Sequence, residues 1–515
     1  MQSEPEAPGT AGAAHKSGNI LIPGRNCFAV ETARRAALLI DAEAYFATLE
    51  QVLRKATRSI VIIGWDFDAR IRLRPQDGDD APRLGELLRS LVEERPELEV
   101  RILIWSLAAV HAPGAALPLI LGEEWRDHPR IQLRLDTNHP FHAAHHQKLV
   151  IIDDSLAFVG GMDLTLERWD TTRHEAEDPL RRHPDGTPYD PVHDLQLVVD
   201  GPVVRPIVEV ARERWRDAVG EDIPPQPAAE RWPVELAPDF TDVPVGVART
   251  LPRLNGEIAV EESARLTEDV LLSARRTIYI EAQYFTAKRL RRILGDILQR
   301  PDGPEVVVVC TQKANGIIER FIMGANRERL LRSLKRLDRD NRLHVYHPTI
   351  PEDGGDHRLL VHAKLIIIDD TLLRIGSSNL NNRSVGLDSE CDLAIEADRP
   401  ETRAAILGCR DRLVAEHLDV DPALVRAATR REGGLSRAID RLNRHPRGLR
   451  TMDVGPGPTH SFPGTRLLDP ERPFRLVERL HRLLGRIFHR RRPRPQSTTS
   501  EKTSSRLPSA RGRRK

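Results

Sequence analysis

Two similar α/β lobes in one chain are predicted by three features of this sequence. Short apolar runs alternate with segments of helical periodicity, the alternation recurs at a nearly fixed offset, and one polar signature closes each copy. The composition suits such a fold: of 515 residues 40% are hydrophobic and 30% charged, enough apolar material for a large core and too much for wholesale disorder. Lys and Arg number 78 against 76 Asp and Glu, a formal net charge of +2, so the chain lacks the general basic coat of a nucleic-acid binder. Cys27, Cys310, Cys391 and Cys409 stand far apart with no CxxC pair. That excludes a zinc ribbon and a dense disulfide framework, and leaves them as inert core thiols. No apolar run approaches the roughly 20 residues of a membrane span, and the N-terminus has neither the basic nor the apolar region of a Sec signal. The expected location is cytoplasmic, with peripheral contact to a membrane.

The elements follow in order. Residues 1–18, rich in Ala, Gly, Pro and Glu, are expected to be a disordered leader. A helical segment over 41–57 leads into the β-rich run ATRSIVIIGWDF from Ala56, and a second helical segment covers 83–94. In the other half, 258–275 leads into ARRTIYIEAQYF from Ala274, followed by 288–299. The offset is 274 − 56 = 218. Each half then adds a strand, LEVRILIWS from Leu98 and EVVVVCTQ from Glu305, and a third, IQLRLDT from Ile131 and LHVYHP from Leu343. Both arrive at one signature, HQKLVIID from His146 and HAKLIIID from His362, with offset 362 − 146 = 216. Agreement of the offsets across some hundred residues argues for duplication of one unit. The expected organisation is a first lobe over 19–219, a Pro- and Ala-rich linker over 220–242, a second lobe over 243–425 and a helical extension over 426–489. A basic disordered tail over 490–515 follows, with ten basic residues against one Glu. Within the extension, Leu476, Leu480, Leu483, Leu484 and Ile487 share a helical face while Arg475, Arg479, Arg482 and Arg486 occupy others. Such a helix suits an anionic membrane surface or docking onto the lobes.

The chemistry is carried by the duplicated HxKxxxxD: His146, Lys148 and Asp153, then His362, Lys364 and Asp369. The apolar run after each Lys marks a strand, so the His and Lys, two apart, project from one face. An imidazole beside an ammonium is a site for phosphate chemistry, with charge for the oxyanion and a nucleophile or acid/base for the transfer. Each Asp is seven residues from its His, an odd number, and is expected to face away and anchor structure. After Gly376, Ser377 and Asn379 offer donors to a phosphate; the first half has Gly161 and Asp163 at those positions, so the half-sites differ. Asp194 and Glu390 are the downstream carboxylates able to accept Nδ1–H from a histidine and fix its tautomer.

These residues make the chain resemble the phospholipase D superfamily, whose hallmark is the duplicated HxKxxxxD motif, and within it the two-motif phospholipases D. The likeness rests on HHQKLVIIDDSLAFVGGMDLTLERWD from His145, VHDLQLVVDGP from Val192, IYIEAQYF from Ile278 and VHAKLIIIDDTLLRIGSSNLNNRSVGLDSE from Val361. It implies two α/β sandwich lobes, with mixed sheets flanked by helices and one active site at their interface. It implies a catalytic set of His146, Lys148, Asp153, His362, Lys364 and Asp369, with His146 attacking phosphorus and His362 protonating the departing alcohol. Lys148, Lys364, Asn379 and Ser377 would bind the phosphate, Asp194 would orient His146, and Glu390 would orient His362. Glu281 matches a family motif. No metal or other cofactor is required. The implied substrate is a phospholipid at a membrane surface, hydrolysed to phosphatidic acid and head group or transferred to another alcohol, and one chain suffices for a complete site. A phospholipid synthase of the cardiolipin or phosphatidylserine type, a nuclease and an inactive membrane scaffold are the competing readings.

Overall fold

A computed structural model describes residues 19–106, 124–140, 142–254, 258–312, 323–352, 355–460, 465 and 469–473. The expected leader, the basic helix over 474–489 and the tail lie outside the described residues.

The first half contributes β1 (Ala29–Ile40), α1 (Asp41–Leu53), β2 (Ser59–Gly64), α2 (Leu84–Glu94), β3 (Glu99–Trp105), β4 (Ile131–Asp136), β5 (Leu149–Ile152), β6 (Leu156–Gly160), β7 (Val192–His193), β8 (Leu195–Asp200) and α3 (Val204–Val219). Next come β9 (Phe240–Leu251), β10 (Val260–Glu261), α4 (Glu262–Ser273), β11 (Thr277–Ala282), α5 (Lys288–Leu298), β12 (Glu305–Cys310), α6 (Ala325–Leu337) and β13 (Leu343–Glu352). The chain continues through β14 (Gly355–Arg358), β15 (Leu360–Val361), β16 (Lys364–Ile368), β17 (Leu372–Gly376), α7 (Arg383–Gly386) and β18 (Glu390–Glu396). It ends in α8 (Pro400–Leu418), α9 (Pro422–Glu432), α10 (Leu435–Leu442) and β19 (Gly448–Thr451).

The pairing is a mixed sheet that runs twice through one plan. In the first half the order is β4-β3-β2-β5-β6-β8-β1, parallel from β4 to β2 and antiparallel beyond. The second half repeats it as β13-β12-β11-β16-β17-β18-β9. The 12-residue strands β1 and β9 pair antiparallel and join the two.

Side-chain alternation divides the interior. In β2, Val61 and Ile63 enter a central core that holds residues of both halves, whereas Ile60 and Ile62 enter an outer core beneath α1 and α2. In β16, Leu365 and Ile367 face the central core while Ile366 and Ile368 face an outer core beneath α4 and α5. Strands buried on both faces read as continuous apolar runs, which is why VIIG and LIII carry no polar alternation. The helices are amphipathic: Leu84, Leu87, Leu88, Leu91 and Val92 make the buried stripe of α2. Pro96 follows soon after and bars Arg95 from helix geometry. The helix expected over 258–275 starts later, at Glu262, because Val260 and Glu261 pair with Leu251 and Thr250 of β9 instead. Residues 221–239 carry no regular element, yet Trp232 inserts into the outer core of the first half.

Asp153 and Asp369 require a correction to the catalytic set. Asp153 accepts hydrogen bonds from the amides of Thr57, Arg58 and Ser59 at 2.8, 2.8 and 2.7 Å and from Arg231 Nε at 2.7 Å. Asp369 accepts from the amides of Arg275, Arg276 and Thr277 at 3.0, 2.8 and 2.8 Å. Each therefore ties the end of its motif strand to the start of the neighbouring strand, β2 or β11, away from the histidines, as the odd spacing requires. Their φ angles of 49° and 50° lie in the left-handed region that Asp tolerates. Asp369→Ala, which strips three amides of their acceptor, is expected to lower unfolding free energy by about 2–4 kcal/mol. A urea-denaturation midpoint equal to that of the parent would contradict this role.

Candidate active site

The site is assembled by an exchange between the halves. The segment before β5 lies against the segment before β18: Ser389 N donates to Ala144 O at 3.0 Å and His146 N to Ser389 O at 2.9 Å. The segment before β16 lies against β7 in the same way. Here β15 and β7 pair in parallel, and His362 N donates to His193 O at 2.8 Å. The residue following each contact is a carboxylate, so each histidine meets the carboxylate of the other half.

His146 Nδ1 is 3.0 Å from Glu390 Oε2, and His362 Nδ1 is 2.5 Å from Asp194 Oδ2. This corrects the expected pairing, in which Asp194 orients His146 and Glu390 orients His362. Separation along the chain favours partners from the same half, whereas the strand contacts favour partners from opposite halves, and the backbone decides. Glu390 does not pair with its sequence neighbour Arg383 either, because that guanidinium bonds Asp388 at 2.7 Å.

The two lysines are buried to 2% exposure. Lys148 Nζ reaches Asp163 Oδ2 at 3.1 Å and His146 O at 3.0 Å. Lys364 Nζ reaches Gln283 Oε1 at 3.3 Å, lies 3.1 Å from His362 Nδ1 and also bonds His362 O. Burial pushes Lys364 down to about 7; Asp194 opposes that shift and the charge of Lys148 adds to it. Burial and the two lysines hold the His146 imidazole well below its ordinary range, and burial with Lys364 does the same to His362. The carboxylates differ. Burial raises Glu390 to about 8 although the hydroxyls of Ser377 and Ser384 oppose it. For Asp194, His362 and Lys364 outweigh burial and hold the group at about 2.

Ser377 is not available to a phosphate. Its Oγ donates to Glu390 Oε2 at 2.5 Å and accepts from Cys391 N at 3.0 Å, so it fixes the carboxylate that holds His146. Asn379 N donates to Ser384 Oγ at 3.1 Å, and that hydroxyl donates to Glu390 Oε1 at 2.6 Å. Asn379 Oδ1 makes no hydrogen bond among the described residues, and the residue borders a cavity of about 30 Å³ with Ser263, Ala264 and Ser384. Asp163, the counterpart of Asn379, instead pairs with Lys148 and accepts Trp65 N at 2.8 Å. Glu281 lies outside the site, bonded to His193 and His417 at 2.8 and 3.1 Å. His145 is a tether, between Ser389 Oγ at 2.9 Å and Asp136 at 3.1 Å. Sequence reasoning missed Gln283 and Ser384. The 218-residue offset aligns Gln283 with Trp65, which was a signal for the first; nothing in the spacing marked Ser384.

Fold and site together define a chain in which two copies of an α/β unit each present a His-Lys pair on a carboxylate supplied by the other. Comparison with known proteins gives likenesses at the level of family and fold. Residues 268–405 match a family profile described as cardiolipin synthase, phospholipase D-like domain. Phospholipase D A of Dictyostelium discoideum is 24% identical over 75% of this chain and 36% of its own length. Phospholipase D alpha 1 of Carica papaya is 24% identical over 71% of this chain and 62% of its own. The chain thus spans about a third to three fifths of these relatives. Phosphatidylserine synthase of Haemophilus influenzae shares the fold, with a TM-score of 0.51 at 14% identity over 89% of this chain and 95% of that one. These likenesses, the profile match over residues 268–405 above all, support a member of the phospholipase D superfamily.

The shift at Glu390 has a consequence for stability. Its carboxyl titrates at about 8 when folded and at about 4.3 when unfolded, so the unfolded state releases the proton first. Its contribution to stability is then present at low pH and is lost as pH rises through that window. Glu390→Gln is expected to flatten this part of the curve: between pH 5 and pH 8.5 the parent loses more unfolding free energy than the variant. Equal losses in urea titrations at the two pH values would contradict a protonated, buried Glu390.

Proposed function

We propose that the chain is a phospholipase D-type phosphodiesterase that cleaves glycerophospholipids to phosphatidic acid and free head group through a phosphohistidine. The observation that carries this reading is the pair of histidines, His362 buried and His146 half-buried, each with Nδ1 on a carboxylate at 3.0 or 2.5 Å and each beside a lysine. With Nδ1 engaged, Nε2 is the ring atom left for chemistry. His146 Nε2 attacks phosphorus, the P–N bond forms as the P–O bond to the leaving alcohol breaks, and His362 gives that oxygen its proton. His362 then takes a proton from water or an acceptor alcohol, whose oxygen displaces His146. Lys148 and Lys364 balance the phosphoryl charge in a water-poor setting, where such contacts count most. An anionic phosphodiester placed between them offsets the positive field that now depresses both imidazoles. The assignment of nucleophile and acid follows the family resemblance. Asn379 would complete phosphate binding through its side-chain amide. One chain carries both halves of the site, so a monomer suffices.

A cleft of about 500 Å³ lies beside the loop after β6, with none of the two histidines and two lysines in its lining. It is lined by Arg70, Arg72, Arg83, Arg182 and Tyr189, and by Thr165 and Leu166 of that loop, and its size is that of a small-molecule site. No helix among the described residues is long and apolar enough to cross a membrane, and the proposed enzyme meets its lipid peripherally, from the cytoplasm. Head-group transfer is the second reading, favoured by the cardiolipin synthase description of the matching profile; it differs only in the acceptor.

Product analysis on phosphatidylcholine vesicles, with and without a primary alcohol, is expected to show phosphatidic acid alone and then a mixture with the phosphatidyl alcohol. Cleavage of single-stranded DNA with no lipid product would contradict the lipid assignment. His146→Ala and His362→Ala are each expected to lower kcat by about a thousandfold, and retention of activity within tenfold in either would refute the paired mechanism. His362→Asn, given a p-nitrophenyl phosphodiester whose leaving group needs no acid, is expected to show a burst and a phosphorylated protein. His146→Asn is expected to show neither.

A further inference from the structure

Beneath the active site is a second cluster that the proposed reaction does not use. Asp41 opens α1, His174 lies in the loop after β6, His193 ends β7 and Glu416 belongs to the last turns of α8. Asp41, His174 and His193 are all at or below 1% exposure, and the side chain of Glu416 is at 5%. We propose that these four residues form a binding site for one divalent transition-metal ion of the zinc class.

The geometry of the donor atoms carries this. His193 Nδ1 lies 3.0 Å from Asp41 Oδ1 and 2.9 Å from Glu416 Oε1, while His174 Nε2 lies 3.2 Å from Asp41 Oδ2 and 2.9 Å from Glu416 Oε1. One atom from each of the four residues falls within 4.8 Å of the other three. Ligands at about 2.0–2.1 Å around a tetrahedral zinc are separated by about 3.3 Å, close to the spacings here. These contacts are not simply hydrogen bonds to one another. His174 Nε2 does bond Glu416 Oε1, but His193 Nδ1, Asp41 Oδ2 and Glu416 Oε2 make no hydrogen bond among the described residues. Buried polar atoms are rarely left so, and His193 Nδ1 and Asp41 Oδ2, each within 3.2 Å of another member of the cluster, suit a shared cation better than one another.

The surroundings of the two imidazoles point the same way. A metal-bound histidine usually donates its other ring nitrogen to a carboxylate, which fixes the tautomer and raises the basicity of the ligand. His174 Nδ1 lies 2.8 Å from Asp170 Oδ2, and His193 Nε2 lies 2.8 Å from Glu281 Oε2. Asp170 is further held by Arg181, and Glu281 by His417. Two imidazoles and two carboxylates leave a neutral centre around a dipositive ion. Such a set suits zinc, with cobalt or manganese as weaker alternatives.

Its role follows from its position. Asp41, His174 and His193 come from the first half and Glu416 from the last turns of α8, so an ion would fasten the two together. Asp194 follows His193 directly and is tied to Asp41 twice, by Asp41 N to Asp194 O at 2.9 Å and Asp194 N to Asp41 Oδ1 at 3.2 Å. The ion would hold the strand that presents Asp194 to His362 without touching substrate.

The test uses the full chain, loaded with zinc, exchanged into metal-free buffer and assayed by elemental analysis. About one equivalent of zinc is expected in the parent and less than a tenth of that in His174→Gln and in Asp41→Asn. Because those variants could fail to fold, the parent is also stripped with dipicolinate, which is expected to lower Tm, and reloaded with cobalt. Intense visible absorption of four-coordinate cobalt with nitrogen and oxygen donors is then expected, together with recovery of Tm. The proposal is overturned if the parent retains no zinc, cobalt or manganese and its Tm is the same with chelator as with metal. In that case the cluster is a set of ion-paired imidazolium groups. It is equally overturned if folded His174→Gln and Asp41→Asn bind as much metal as the parent.

Discussion

The structure depends on one exchange: each half of the molecule supplies the carboxylate that holds the other half's histidine. Neither half alone has a held imidazole. The exchange is enforced by backbone, through the contact of 144–146 with Ser389 and the pairing of β15 with β7. Side-chain chemistry is placed on top of it. A carboxylate that must reach a given imidazole at 2.5–3.0 Å is more firmly positioned by a strand than by a loop, because strand register admits shifts only in whole residues.

That arrangement concentrates charge where water is scarce. Lys148, Lys364, Asp194 and Glu390 are all within a few per cent of complete burial, a setting in which an unpaired charge is costly and a paired one is fixed in place. The two halves resolve this differently. Glu390 is satisfied by hydroxyls and titrates high, while Asp194 is surrounded by cations and stays ionised. Asp163 against Asn379 repeats the asymmetry, since one neutralises its lysine and the other leaves it to Gln283. Two copies of one plan thus surround their lysines with unlike partners.

Much of this was legible in the sequence, and the failures share a cause. The apolar runs of β2, β5, β11 and β16 and the stripe of α2 are dictated by burial of local segments, so periodicity reveals them. The outward turn of Asp153 and Asp369 follows from an odd spacing on a strand, and that spacing was a better guide than their place in the motif. The carboxylate pairing was not legible, because Asp194 and Glu390 are related to the histidines through strand contacts between halves. Ser377 was misassigned for a similar reason: a hydroxyl after a glycine turn can serve a ligand or a neighbour, and only the position of Glu390 decides. The cluster around His193 left no trace in spacing at all, since its members are drawn from α1, the loop after β6, β7 and α8.

The exchange can be observed through the protons it holds. In the protein labelled with 15N-histidine, the imidazoles of His146 and His362 should give low-field Nδ1–H resonances, assigned by His146→Gln and His362→Gln. Glu390→Gln is expected to shift or remove the resonance of His146 and leave that of His362 in place, while Asp194→Asn does the reverse. If Glu390→Gln instead perturbs only His362, each histidine is held within its own half, and the central claim is contradicted.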